Sequence, residues 1–101
     1  MNAPDHILTA ALTDSLTKAS KQLSLDISRD LAQLQKLGGL RFMQNLLKRG
    51  LESPAFSKLA EKGLLKLSCE AVCIRAEFGQ LFNDDEINLC FERLCENGYR
   101  F

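Results

Sequence analysis

The sequence has few of the residues that build turns and strands: two prolines, six glycines and one tyrosine among 101 residues. Leu, Ala, Lys, Glu and Gln dominate instead, and these residues favour helix. Apolar residues make up 46% of the chain and charged residues 26%, values that are typical of folded rather than disordered proteins. A chain of this length predicts one all-helical domain that covers residues 1–101.

Long hydrophobic runs are also missing. No run approaches the roughly 18 apolar residues that a membrane-spanning helix needs. The first residues, MNAPDHILTAAL, contain neither a basic start nor a continuous hydrophobic segment, so they lack the pattern of a secretory signal. We therefore expect a cytoplasmic protein with no membrane partner and with reduced thiols.

The motifs of common enzymes are absent as well. His6 is the only histidine and lies far in the sequence from every cysteine, so a cysteine–histidine nucleophile pair is not indicated. Asp84, Asp85 and Glu86 are adjacent acids, but at the start of a helix they stabilise the positive end of its dipole. No phosphate-binding glycine loop, nucleophile elbow or helical metal pair occurs. The sequence predicts no enzyme, no catalytic residues, no cofactor and no metal site.

The four cysteines form two pairs, Cys69 with Cys73 and Cys90 with Cys95. Zinc sites usually have shorter spacings on loops and need four converging thiolates, which this pattern does not supply. Free cysteine commonly packs in the core as a small apolar residue. We predict buried, reduced cysteines, with a disulfide or a metal or redox role as the alternatives.

The segment from Leu64 to Phe78 is apolar on two opposite faces when it is drawn as a helix, and Glu70 falls on a narrow polar edge between them. A helix with this pattern must be covered on both sides. We therefore expect it at the centre of a small helical bundle or of a dimer. The side chains expected to be buried on its two faces are Leu65, Val72, Ile74 and Phe78.

A second apolar stripe runs over residues 8–37 in steps of three and four, which indicates a long amphipathic helix that ends at Gly38. Asp30 lies inside this stripe. A break within residues 24–28, capped by Asp26 or by a serine, is an alternative. We prefer a single, kinked helix over residues 5–37 that packs on the two-faced helix.

Three further helices are predicted. Residues 40–48 form a short helix before Gly50, and Ser53-Pro54 is typical of the start of a helix that runs to Lys62 or through Gly63. The bundle would then have four to five helices.

The last helix begins at Asn83, which pairs with Glu86 as a capping box, and it ends near Glu96. We expect its apolar stripe to centre on Ile87, Phe91 and Leu94, with Cys90 and Cys95 on opposite flanks.

The net charge is zero, but residues 31–66 contain seven Lys or Arg against two acids, and the acids gather after residue 83. An excess of positive charge can attract phosphates. The candidate nucleic-acid contacts in this basic segment are Arg41, Lys48, Arg49, Lys58 and Lys62.

The leading interpretation is a small non-catalytic protein-interaction module, such as an adaptor, an inhibitor or a regulatory subunit. It would bind a protein partner and form a homodimer, and short proteins of this kind are common among bacterial and phage accessory factors. The alternative is a nucleic-acid-associated protein that uses the basic segment 36–66.

Overall fold

The computed structural model describes residues 3–99, with side chains from residue 5 onward, and all its regular elements are helical in this part of the chain. The predicted fold class, a small all-α bundle, is confirmed, with six α-helices in the described residues where four to five were expected. The α-helices are α1 (Ala3–Leu23), α2 (Ser28–Leu37), α3 (Gly39–Lys48), α4 (Phe56–Glu61), α5 (Cys69–Cys73) and α6 (Asp84–Glu96). Two 3-10 turns, Leu65–Leu67 and Ala76–Phe78, flank α5. Within the described residues, no helix is long and apolar enough to cross a membrane.

The single helix preferred for residues 5–37 is wrong, because the chain breaks into α1 and α2. Ser24 adopts a left-handed conformation with φ 54°, which a continuing helix cannot contain. The Asp26 carboxylate accepts hydrogen bonds from the backbone N–H and the hydroxyl of Ser28, at 2.9 and 2.7 Å. These bonds lower the pKa of Asp26. The break lies within the predicted alternative, residues 24–28, although the residue at the N-cap is Ile27 and its side chain makes no capping bond.

The N-terminus of α3 packs closely against α1 at Gly39. The backbone N–H of Gly39 donates to Thr9 Oγ1 at 2.7 Å, and that of Leu40 donates to Asp5 Oδ1 at 3.1 Å. Two amide groups that a helix start leaves unpaired are therefore satisfied by side chains of another helix. A Cβ atom at Gly39 would lie 3.0 Å from the backbone nitrogen of Thr9 and 3.0 Å from Leu8 Cγ.

We expect Gly39→Ala to destabilise the protein by about 1–3 kcal/mol, because the added methyl group meets backbone as well as side chain and α3 must move away from α1. Urea unfolding followed by circular dichroism measures the change. Gly79→Ala is the matched control, since its Cβ would come no closer than 3.4 Å to any neighbour and its φ of −61° suits alanine. Equal stability of the two variants would contradict the close approach.

The two-faced segment lies between α1 and α6, and α5 packs against both. It is not one helix, as predicted, but α5 with a 3-10 turn on each side. Ser68 interrupts it with extended backbone, and its hydroxyl then caps α5 by accepting from Ala71 N–H at 3.2 Å. Leu65, Val72 and Phe78 are buried, as expected, whereas Ile74 is only half-buried.

The last helix confirms the predicted capping box between Asn83 and Glu86. Of the three residues predicted at the centre of its apolar stripe, Leu94 is buried and Ile87 is half-buried, and Cys90, predicted on a flank, is buried as well. Phe91, predicted at the centre of the apolar stripe, is 38% exposed. The apolar residues of α6 span a wider arc of the helix than the part that packs against α5. Periodicity alone does not tell which edge of that arc is exposed to solvent.

The fourth helix starts later than predicted. Ser53 does not cap it; α4 begins at Phe56 after Ala55, which has a left-handed φ of 68°. It ends before Gly63, whose φ is 69°, so it does not run through that glycine. Phe56 and Leu59 anchor α4 in a small core cluster with Ala19, Leu65, Ala71 and Leu94, beside the larger cluster between α1, α2, α3, α5 and α6.

Candidate functional site

The basic side chains named as candidate contacts are divided among different surfaces. Arg41 and Lys48 lie on α3 and line a groove between α3 and α6. Arg49 follows α3 and lines a second groove, on the α2 side. Lys58 lies on α4 and Lys62 directly follows it; α4 packs mainly against α1 and the first 3-10 turn. All five are exposed.

The groove between α2, α3 and the loop of residues 49–55 is the α2–α3 groove. Its volume is about 400 Å³, within the roughly 300–1,000 Å³ of typical ligand pockets. The apolar side chains that line it are Leu37, Phe42, Leu46 and Pro54. Phe42 is buried and the other three are half-buried, so the floor is accessible to an apolar group from outside.

Charged side chains form the rim of the α2–α3 groove: Asp30, Arg49 and Glu52. Asp30 is the acid that interrupts the apolar stripe of residues 8–37, and it is half-buried. Within the described residues 3–99, its carboxylate forms neither a hydrogen bond nor an ion pair. Glu52, in contrast, accepts a hydrogen bond from the Ser57 hydroxyl at 2.9 Å. The rim thus carries two acids and one base, and one of the acids is unpaired.

The α3–α6 groove has a different charge arrangement. Arg41 and Lys48 form its wall on α3, and Asp85 and Glu86 form its wall on α6. Gln44 Nε2 lies 3.5 Å from Glu86 Oε1 across it. The basic residues therefore face acids of the same chain, which weakens the positive potential that a nucleic acid would meet.

A buried polar network holds the loop of residues 49–55 in place. Glu70 is 0% exposed, and its carboxylate accepts from both the backbone N–H of Ser53, at 3.0 Å, and the Ser53 hydroxyl. Arg93 Nη1 donates to Glu70 Oε2 at 3.1 Å and to the carbonyl oxygen of Leu51 at 2.9 Å. Because Glu52 and Pro54 of this loop line the α2–α3 groove, the network also shapes that groove.

Glu70 does not lie on an exposed polar edge, as the helical pattern predicts, and nothing in that pattern predicts its hydrogen-bond network. A signal was present: Glu70 is the only charged residue within residues 67–74, between Leu67 and Ile74. An acid surrounded by core-forming residues is buried only when it is paired. What the sequence does not indicate is the partner, because Arg93 is 23 residues away.

Three of the four cysteines are buried as predicted, and Cys95 is exposed, which corrects the prediction for that residue. Burial and the neighbouring charge of Glu70 raise the pKa of the Cys69 thiol. A hydrogen bond with Cys90 and burial raise the pKa of Cys73. Both thiols are protonated near neutral pH, and a protonated, buried thiol is a poor nucleophile and a poor metal ligand.

Among the residues that the structure describes, the remaining titratable side chains form no cluster that points to catalysis. His6 is exposed on the first part of α1, and Asp84, Asp85 and Glu86 occupy the first turn of α6. In the described part of the chain, no three His, Cys, Asp or Glu side chains are arranged to hold a metal ion. Two of the grooves in the described part of the chain lie on either side of α3 and have charged side chains at their edges.

Comparisons with protein-family models, with curated proteins and with solved structures find no match to this chain.

Proposed function

We propose that this protein is a non-catalytic protein-binding module whose α2–α3 groove accepts an apolar side chain of a partner. The observation that carries the proposal is the combination of an accessible apolar floor with an unpaired, half-buried carboxylate on the rim. Protein-binding grooves commonly have an apolar centre and a polar rim.

The charge of the rim indicates the chemistry of the partner. The rim has two acids, Asp30 and Glu52, and one base, Arg49. A Lys or Arg beside the partner's apolar side chain therefore has a more favourable electrostatic interaction with the rim than an acid would. Asp30 lies in the first turn of α2 and has no side-chain partner among the described residues, so its charge is available to a cation of a bound segment. We therefore propose a partner segment with an apolar side chain flanked by a basic residue.

Nucleic-acid binding through the basic segment is the second proposal, and the structure gives it less support. Arg41 and Lys48 share their groove with Asp85 and Glu86, and Lys58 and Lys62 lie at a different helix. A phosphate backbone favours a continuous basic surface. The mixed charge around α3 is more typical of a protein interface.

We also propose a cytoplasmic location, where thiols stay reduced. The support is that Cys69, Cys73 and Cys90 lie in the core as free thiols, which suits a reducing compartment.

Selection from a library of random displayed peptides tests the proposed function. We expect the wild-type protein to enrich peptides with an apolar residue beside Lys or Arg. Asp30→Lys reverses the net charge of the rim and leaves the apolar side chains of the groove unchanged. It should weaken the binding of these peptides by about tenfold or more, and the variant should enrich peptides with acidic flanks instead. Binding is measured by titration of the selected peptides into each variant.

Glu61→Lys is the matched control, because it makes the same charge change at an exposed position of α4 outside the groove. It should leave the selected peptides unchanged. If Asp30→Lys binds the same peptides as wild type, the groove is not their site. Retention of DNA or RNA in a gel shift at about 0.1 M salt, lost in Arg41→Glu/Lys48→Glu, would favour the second proposal over the first.

A further inference from the structure

The α3–α6 face combines a basic strip with an acidic strip. Arg41 and Lys48 are seven residues apart on α3, so they lie on one side of the helix about two turns apart, and both are exposed. They line the α3–α6 groove, so this strip runs along one wall of it.

The opposite wall continues as an acidic strip along α6. Asp85, Leu89, Glu92 and Glu96 follow each other at intervals of three and four residues, which places them on one side of the helix. All four are exposed. Leu89 is 40% exposed and lines the groove, so an apolar side chain lies beside the charged residues of this wall.

We propose that this face binds a second copy of the chain, with a two-fold axis that runs along the groove. Rotation about such an axis turns the second molecule over and exchanges its left and right sides, so α3 of one molecule faces α6 of the other. Each basic strip then meets its partner's acidic strip, and the two copies of Leu89 lie within the same interface. An interface of this symmetry uses the same patch of both molecules, so the patch must be complementary to itself. A face with one basic half and one acidic half meets this condition.

The alternative two-fold axis, across the groove, would place α3 against α3 and α6 against α6. That arrangement brings like charges together and is disfavoured. The charge pattern thus selects the orientation of the dimer as well as its surface.

A charge exchange between two variants tests this dimer. Arg41→Glu/Lys48→Glu makes the face acidic on both helices, and Asp85→Lys/Glu92→Lys/Glu96→Lys replaces every acid of the acidic strip, so that positive charge predominates on both helices. Each variant alone should dissociate, with the dissociation constant of its dimer raised by about tenfold or more, because every strip meets a strip of its own sign. An equal mixture should form a heterodimer, since an acidic face then meets a basic one.

Sedimentation velocity over a range of concentrations and salt measures these outcomes. Lys58→Glu/Lys62→Glu is the matched control for Arg41→Glu/Lys48→Glu, because it makes the same change in net charge on α4 and at its C-cap. It should dimerise as wild type does. Thermal melts verify that each variant is folded. Formation of the heterodimer in the mixture is an independent check, because only folded variants can form the interface.

A monomeric wild-type protein at every concentration, or a dimer that both reversed variants retain, would overturn the proposal. Its failure is distinguishable from failure of the proposed function, because the dimer uses the α3–α6 face and the partner uses the α2–α3 groove. The monomeric charge-reversed variants should still enrich the same peptides as wild type.

Discussion

Glu70→Ala is expected to destabilise the protein by about 3–5 kcal/mol, the usual cost of removing one partner from a buried ion pair. The carboxylate is completely buried and accepts hydrogen bonds from Ser53 and Arg93. Its loss leaves the guanidinium of Arg93, whose side chain is only 15% exposed, without its carboxylate partner. Since small domains are stable by about 5–15 kcal/mol in total, this is a large fraction of the stability.

Urea unfolding measures this effect, and Glu77→Ala is the control. Glu77 forms an ion pair with Arg75 at 3.9 Å, but both side chains are about half-exposed, at 58% and 49%, so its removal should change stability by less than about 1 kcal/mol. In a further arm, Glu70→Leu/Arg93→Met should be more stable than Glu70→Leu alone, because the second substitution removes the unpaired charge. If Glu70→Ala unfolds at the same urea concentration as Glu77→Ala, the buried network does not hold the loop.

Val72→Asp is expected to unfold the protein. Val72 is 0% exposed on α5, between α1 and α6, and it belongs to the main apolar core cluster. Burial of an unpaired charge costs several kcal/mol on top of the lost packing of the valine, which together are comparable to the whole stability. The far-ultraviolet circular dichroism spectrum should show loss of helix at room temperature.

Ala76→Asp is the control in the same segment. Ala76 is exposed and begins the second 3-10 turn, where an acidic residue is tolerated. Ile74→Asp should lie between the two variants, since Ile74 is half-buried and its carboxylate could reach water. A folded Val72→Asp variant with an unchanged melting temperature would show that the centre of the bundle is open.

Peptide selection and the charge exchange address the two surfaces on either side of α3, and they are independent of these stability measurements. The Glu70 network does connect the α2–α3 groove to the fold, because it holds the loop that carries Glu52 and Pro54 at the edge of that groove. A variant such as Glu70→Gln, which keeps the shape of the side chain, should therefore change peptide binding more than dimerisation.

The sequence by itself determined the helical class and the helix ends that depend on neighbouring residues. The capping box of α6 is an example, because Asn83 and Glu86 are three residues apart and form their hydrogen bonds without help from the rest of the chain. The buried faces of α1 and α3 also follow from the sequence, because a face is set by the spacing of apolar residues within one helix. Leu12 on α1 and Leu47 on α3 are buried accordingly.

Only the tertiary structure decided the features that join distant segments. Ser53 has the local signal of a helix cap, yet its hydroxyl binds the carboxylate of Glu70, 17 residues later. In the same way, Arg93 is an ordinary basic residue in the sequence and becomes the partner of a buried acid in the fold. A local preference is worth about 1 kcal/mol, whereas an unpaired buried carboxylate costs more, so the distant contact prevails.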